Sequence, residues 1–202
     1  MIEPDSRFAT VPEVALQGDL DLEETLRSIP PEFTTKGMFF TRYVAALGAE
    51  WEAVVPVLSQ PAKHGRYHAF ESYPLRDYVR VFDRVARARF PGSPREAFRL
   101  LARGEVEVFA ESTLGKVTFS LLSDPGGTLL RYPDVFMVMV GGPTLTAERS
   151  GERRVIVTFP RYFGSIESGL GLVEGMVQNF DEQPIVEVTT FEDRKVVYDV
   201  SW

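Results

Sequence analysis

Two histidines, His64 and His68, stand four apart in His64-Gly65-Arg66-Tyr67-His68, and Glu71 follows three residues later. On a helix, that spacing brings two imidazoles to one metal ion, with a carboxylate as third ligand. Gly65 and the nearby Pro61 oppose a helix, so the segment reads as a solvated loop without a metal. Ser72, His68 and Asp77 supply the residue types for nucleophilic catalysis, but no nucleophile-elbow motif orders them. Cysteine is absent. Its absence removes thiolate metal sites, iron–sulfur clusters, disulfides and a cysteine nucleophile. The expectation is a non-enzymatic chain with no cofactor and no metal; an unrecognised enzyme is the lesser alternative.

A second group is electrostatic. Arg76, Arg80, Arg84 and Arg87 fall within about 80° of one another at 100° per residue and span about 16 Å of helix. The apolar face Leu75, Tyr78, Val79, Phe82, Val85 and Ala86 points elsewhere, so the stripe is expected to be exposed. Between Arg76 and Arg103 there are eight arginines against three acids, in a chain of net charge −7. Asp83 lies beside the stripe and can pair with Arg80 or Arg87. A partly paired, solvated face is one reading; the other is a docking surface for an acidic protein partner. The overall negative charge argues against general nucleic-acid binding.

The third group is glycine. Gly169, Gly171 and Gly175 lie inside an amphipathic helix, Ser165–Phe180, each at a cost of about 1 kcal/mol against alanine. Gly171 and Gly175, four apart, form a smooth groove beside the stripe of Ile166, Leu170, Val173, Val177 and Phe180. Close packing against a helix of the same chain is one reading; contact with a second subunit in a homodimer is the other.

That helix sits between two pairs of strand-like runs. Thr144–Glu148 and Arg153–Phe159 flank a Ser150-Gly151 turn, and Pro184–Thr190 and Lys195–Trp202 flank Glu192-Asp193-Arg194. In the last run Val196, Tyr198, Val200 and Trp202 alternate with polar or smaller residues, the pattern of a half-buried strand with its indole turned inwards. The helix is therefore expected to cross one face of a four-stranded antiparallel sheet.

Ahead of the sheet the chain reads as helical. Asp21–Ile29 is a short helix stopped by Pro30-Pro31. Thr34 or Thr35 caps a helix through Leu47, and Trp51–Leu58 is a short continuation ended by Pro56. Ser59–Tyr73 is a loop. A helix starts at Ser72 with Pro74 in its first turn and ends at Phe90-Pro91-Gly92. Ser93-Pro94-Arg95-Glu96 is a capping-box start for a helix towards Ala110, with a kink expected at Gly104. Thr113–Leu122 is another helix, Asp124–Gly127 a turn, and Pro133–Val140 a short apolar helix. Met1–Gly18 shows only an irregular apolar pattern.

The 202 residues suit a single domain, with a helical part over about 19–142 and a sheet part over about 143–202. No apolar run reaches membrane-spanning length, and Met1–Arg7 lacks a signal pattern. A cytoplasmic protein is the expectation. The fold class is α+β, a helical N-terminal part followed by the crossed sheet.

Four segments carry a resemblance: Tyr73-Pro74-Leu75-Arg76-Asp77-Tyr78, Glu111-Ser112-Thr113-Leu114-Gly115-Lys116, Gly171-Leu172-Val173-Glu174-Gly175 and Tyr198-Asp199-Val200-Ser201-Trp202. Together they resemble a family of about two hundred residues, found chiefly in myxobacteria and known as a domain of unknown function. The C-terminal half is also distantly similar to haem-nitric-oxide/oxygen-binding (H-NOX) domains, 4-vinyl-reductase-type ligand domains and TRAPP vesicle-tethering subunits. That similarity implies an H-NOX/TRAPP-like fold but not those functions. The haem domains carry an axial histidine in the helix before the sheet, and Gly126–Gly142 has none. Their Tyr-x-Ser-x-Arg propionate clamp has no match in Arg161–Ile166.

Two functional readings follow. The first is a protein-interaction or scaffold module, resting on the arginines, the glycines and the missing catalytic constellations. The second is a non-haem sensor of a small apolar ligand, resting on the fold resemblance and on Phe109, Phe119, Phe136, Met137 and Met139 where helices meet the sheet. A filled interior favours the first; an apolar cavity of roughly 300 Å³ or more with convergent polar groups favours the second.

Overall fold

Helices occupy the first two thirds of the chain and a four-stranded sheet the last third, in a computed structural model that describes residues 20–191 and 193–202. Met1–Gly18 lies outside the described residues. Asp21 caps α1 (Leu22–Ser28) by accepting from the Glu24 amide at 2.9 Å. Then come β1 (Thr34–Lys36), α2 (Gly37–Leu47), the single turn α3 (Trp51–Val54) and β2 (Ser72–Pro74). α4 (Leu75–Arg89), α5 (Pro94–Glu111), α6 (Thr113–Ser120) and α7 (Pro125–Met139) complete the helical part, and β3 (Val140–Gly141) follows α7. The sheet part is β4 (Thr146–Gly151), β5 (Arg154–Phe159), α8 (Ile166–Gln178), β6 (Ile185–Thr190) and β7 (Val196–Ser201).

The main sheet is antiparallel throughout, in the order β4-β5-β7-β6. Val157 faces Tyr198 and Val155 faces Val200 across the central pair, so both strands present their fully buried residues to the same side. α8 packs on that side through Leu170, Val173 and Val177, none of which is exposed. Burying such aliphatic side chains stabilises by about 1.5–3 kcal/mol each. Trp202 packs against the same core while only half-buried, and its amide bonds the Arg153 carbonyl at 3.3 Å.

The opposite side of α8 lies against α5, the most extensive helix–helix contact in the molecule. A Cβ on Gly171 would overlap the Arg99 carbonyl oxygen, and one on Gly175 would sit 2.9 Å from both the Arg103 carbonyl and a Val106 methyl. The glycines therefore serve close packing within one chain, and the groove is filled rather than offered to a second subunit. The buried Glu174 locks the seam: Arg99 reaches it through two nitrogens at 2.8 and 2.5 Å, and Arg103 through one at 3.0 Å. A second pair, Arg95 with Glu167 at 3.4 Å, lies one turn away on α5 and two turns away on α8.

Several local expectations need correction. Thr34–Lys36 does not cap a helix; it forms β1, the middle strand of a small antiparallel sheet in the order β2-β1-β3. Ser72 and Tyr73 do not open α4 but pair with β1, because Pro74 holds the residues before it extended. Ser93 makes no side-chain cap, and α5 runs through Gly104 to Glu111. Asp124 does not start a turn; it caps α7 by accepting from the Gly127 amide at 3.0 Å, and the helix continues across Pro133. That start places Met137 on the outer face of α7, about half exposed. β-pairing and cap geometry each supply backbone hydrogen bonds that a local propensity reading does not see.

Gly171→Ala should destabilise the protein by about 1–3 kcal/mol, because overlap with backbone outweighs the helix-propensity gain. An unchanged urea midpoint would mean that α5 and α8 are not in backbone contact.

Candidate ligand pocket

Four helices direct stripes of side chains towards one point beside the sheet. On α5, Phe98, Ala102, Glu105 and Phe109 lie within roughly 60° at 100° per residue. On α4 the stripe is Leu75, Tyr78, Val79 and Phe82; on α7 it is Thr128, Tyr132, Val135, Phe136 and Met139; on α8 it is Ser168, Leu172 and Met176. They line an overwhelmingly apolar, partly open cavity of about 170 Å³. That is smaller than the roughly 300 Å³ expected of a pocket for a drug-sized ligand. It is on the scale of apolar cavities that take benzene or xenon.

Glu105 is the exception in the apolar stripe. Its Oε1 accepts from the Tyr43 hydroxyl at 2.7 Å and also from the Tyr78 hydroxyl. Oε2 has no hydrogen-bond donor among the described residues. Protein surrounds Glu105, yet it retains accessible surface because it borders the cavity. Burial pushes its carboxyl up from 4.5 to about 7, against the two hydroxyl bonds and the field of Arg42, which pull it down. Burial also raises the phenols of Tyr43, Tyr78 and Tyr132 well above their usual value, so all three remain protonated donors.

Tyr132 is 4% exposed, lines the cavity, and its hydroxyl has no hydrogen-bond partner among the described residues. The other lining hydroxyls are engaged. Thr25, Thr35, Thr118 and Thr128 donate to backbone carbonyls, and Ser165 bonds Ser168 at 2.8 Å.

The residues singled out in the sequence lie elsewhere. Arg76 donates to the Ile29 carbonyl at 2.7 Å, Arg80 pairs with Asp77 at 3.2 Å, and Arg87 pairs with Asp83 at 2.8 Å. Arg84 is exposed and meets Glu50 at 3.0 Å. The buried Asp77 carboxylate also accepts from the Ser59 and Gln60 amides and so ties the loop to α4. His64 lies in a 3-10 turn at φ 54°, and His68 precedes β2. Among the described residues no group of three or more His, Asp or Glu could hold a metal ion.

With this geometry in view, comparisons with known proteins place the chain. Residues 29–202 match the family model described as Protein of unknown function (DUF2378). The chain belongs to that family. No curated protein sequence matches it significantly. Its fold is similar to an Fe(II) unliganded H-NOX protein from K. algicida, at TM-score 0.63 and 16% identity, over 82% of this chain and 95% of that one. An S. oneidensis H-NOX protein in the Fe(II)NO ligation state matches at TM-score 0.63 and 11% identity, over 82% of this chain and 98% of that one. An oxygen-binding H-NOX domain related to soluble guanylate cyclases matches at TM-score 0.60 and 18% identity, over 82% and 92%. The α+β architecture of this family member is thus H-NOX-like, and at these identities the likeness concerns fold alone.

The cavity residues do not fit a haem. α7 offers no histidine towards the cavity, and the volume of about 170 Å³ suits a single small ring rather than a tetrapyrrole. Among the described residues Arg131 is the one lining arginine; it is largely exposed and pairs with Asp134 at 3.2 Å, where propionates would need a cation.

Reading the sequence missed Glu105 because Glu105–Val108 alternates like a strand and Gly104 suggested a kink. Helical periodicity alone would have found it, as a lone acid centred on the Phe98–Phe109 stripe. Its pH consequence is direct. A folded carboxyl at about 7 holds its proton where the unfolded chain, at about 4.5, has lost it. The resulting stability is fully present below about pH 4.5 and is lost as pH rises through about 7, an effect on the order of 3 kcal/mol. Glu105→Gln should flatten that part of the profile; an equally steep fall in the variant would assign it to another group.

Proposed function

We propose that this member of the family is a non-enzymatic, non-haem domain that binds and senses a small apolar ligand. The apolar cavity carries the reading: it lies where α4, α5, α7 and α8 meet, and the buried Tyr132 hydroxyl inside it has no partner among the described residues. A well-packed interior seldom leaves such a group unsatisfied without a ligand or water to meet it. The H-NOX likeness supports the reading, since one neighbour is described as an oxygen-binding domain and another in its Fe(II)NO state. A cavity bordered by helices and sheet together also gives a ligand leverage over their relative packing. The cavity has one carboxylate and no activated nucleophile among the described residues, which favours recognition over turnover.

The interaction-module reading has less behind it. Three arginines of the α4 stripe hold groups of their own chain, so only Arg84, itself paired with Glu50, remains well exposed for a partner. No helix among the described residues is long and apolar enough to cross a membrane.

Toluene should raise the thermal midpoint in a concentration-dependent manner, because a ligand at 100 times its Kd adds about 2.7 kcal/mol of stability. Ala102→Leu, which extends a side chain into the cavity, should keep the fold and abolish the effect. Added haemin should give no stoichiometric Soret band. No response in the wild type to any small aromatic compound, hydrocarbon or polar-substituted, would remove the ligand-binding reading.

A further inference from the structure

The polar groups left open in the cavity determine what a ligand must carry. Six lining hydroxyls are bonded within the chain, and Tyr78 donates to Glu105. Tyr162 is bonded to Tyr198. Two lining groups stand open among the described residues: Glu105 Oε2, since both donors to that carboxyl sit on Oε1, and the buried hydroxyl of Tyr132. They sense each other across the cavity, since the Glu105 charge contributes to raising the Tyr132 phenol.

We propose that the cavity recognises a small aromatic amine in its cationic form, with the ammonium on Glu105 Oε2 and the Tyr132 oxygen and the ring among Phe82, Phe98 and Phe109. The inference rests on the ligand-site reading above and names the chemistry of that ligand. Three observations converge on it. An ionised carboxylate inside a protein needs a cation or several donors, and Glu105 has two hydroxyls, both on one oxygen. Among the described residues no cation fills the remaining place: Arg42 donates to the Gly104 carbonyl at 2.5 Å, and Arg131 pairs with Asp134 at the surface. The walls are aromatic, and ring faces attract an ammonium by their quadrupole, more strongly when water is excluded. A carboxylate ligand would be repelled at this site, and a hydrocarbon would leave Glu105 unmatched.

The size follows from the volume. About 170 Å³ admits one ring with a one- or two-carbon arm and little else. The groups that act on Glu105 are Arg42 and Tyr43 from α2, Tyr78 from α4, Tyr132 from α7 and Tyr162 from the segment before α8. The tyrosines stay neutral through burial, so Glu105 is the group that titrates near neutrality. A cation binds its ionised form. Affinity should therefore rise with pH, whereas the stability of the free protein falls.

The test is calorimetric titration of the full chain with benzylamine, benzyl alcohol and toluene, at pH 6 and pH 8. Benzylamine should bind tightest, and roughly tenfold more tightly at pH 8 than at pH 6, as the ionised fraction of Glu105 grows. Toluene should bind no more tightly at pH 8 than at pH 6. Glu105→Gln keeps an acceptor for the two tyrosines; it should weaken benzylamine at least about tenfold and abolish its pH dependence, with no comparable loss for toluene. Tyr132→Phe should weaken benzylamine less. Toluene binding with benzylamine no tighter, benzyl alcohol binding tightest, or Glu105→Gln retaining full benzylamine affinity would each overturn the cation assignment while leaving the cavity a ligand site. Binding of none of the three would overturn both readings. Should Glu105→Gln fail to fold, the wild-type pH comparison of benzylamine with toluene still decides.

Discussion

The close approach of α5 and α8 is the constraint on which the rest of the molecule depends. Two glycines remove the side chains that would hold the helices apart, and the Arg99 and Arg103 backbone takes up the space. Contact at this distance could slip along the helix axes, because glycine surfaces are smooth. The bidentate contact of Arg99 with Glu174 fixes the register, since a guanidinium fork and a carboxylate match only in one alignment. Removing one member of such a buried pair strands a charge, at a cost of about 3–5 kcal/mol. The seam joins the sheet core to the helical core, and Leu172 touches both.

The same seam produces the cavity. With α5 pinned to α8, the distances from α5 to α4 and α7 are set by large aromatic rings rather than by glycine. In the helical core Phe40 stacks on Tyr67 at 4.2 Å and Phe82 meets Phe98 edge-on at 4.8 Å. Rings of this size pack in a few geometries and leave space where several helices diverge. The space falls between Phe98 and Phe109 on α5, opposite Tyr132 and Phe136 on α7. Apolar side chains that border a gap lose the packing contacts a filled core supplies. That loss gives a ligand of matching shape its advantage.

Two buried glutamates on facing helices show how environment separates structural from functional charge. Glu174 is fully buried and meets two arginines, so its charge is matched within the chain. Glu105 borders the cavity and meets only hydroxyls, so burial drives its carboxyl up to about 7. A matched charge holds the fold together. An unmatched one beside an open space makes that space selective, and sensitive to pH in the neutral range.

Much of the architecture was legible without coordinates. The alternation Val196, Tyr198, Val200, Trp202 specifies which side of β7 is buried, because strand periodicity is two and one face must leave water. The stripe Leu170, Val173, Val177 specifies which face of α8 meets the sheet. Gly171 and Gly175 announced a close contact, but not with what, since a groove carries no record of its occupant. Tertiary structure alone assigned it to α5. β1 and β2 were also hidden, because three-residue strands have too little pattern of their own and exist through partners distant in sequence. The arginines of α4 looked like a free surface because helical geometry reports the face of a residue, not the carbonyl of Ile29 or the carboxylates waiting there. Glu105 was written in the Phe98–Phe109 stripe, yet its meaning was not. A carboxylate becomes a site only when folding removes its water and places two tyrosines and a cavity around it, and those come from four other helices.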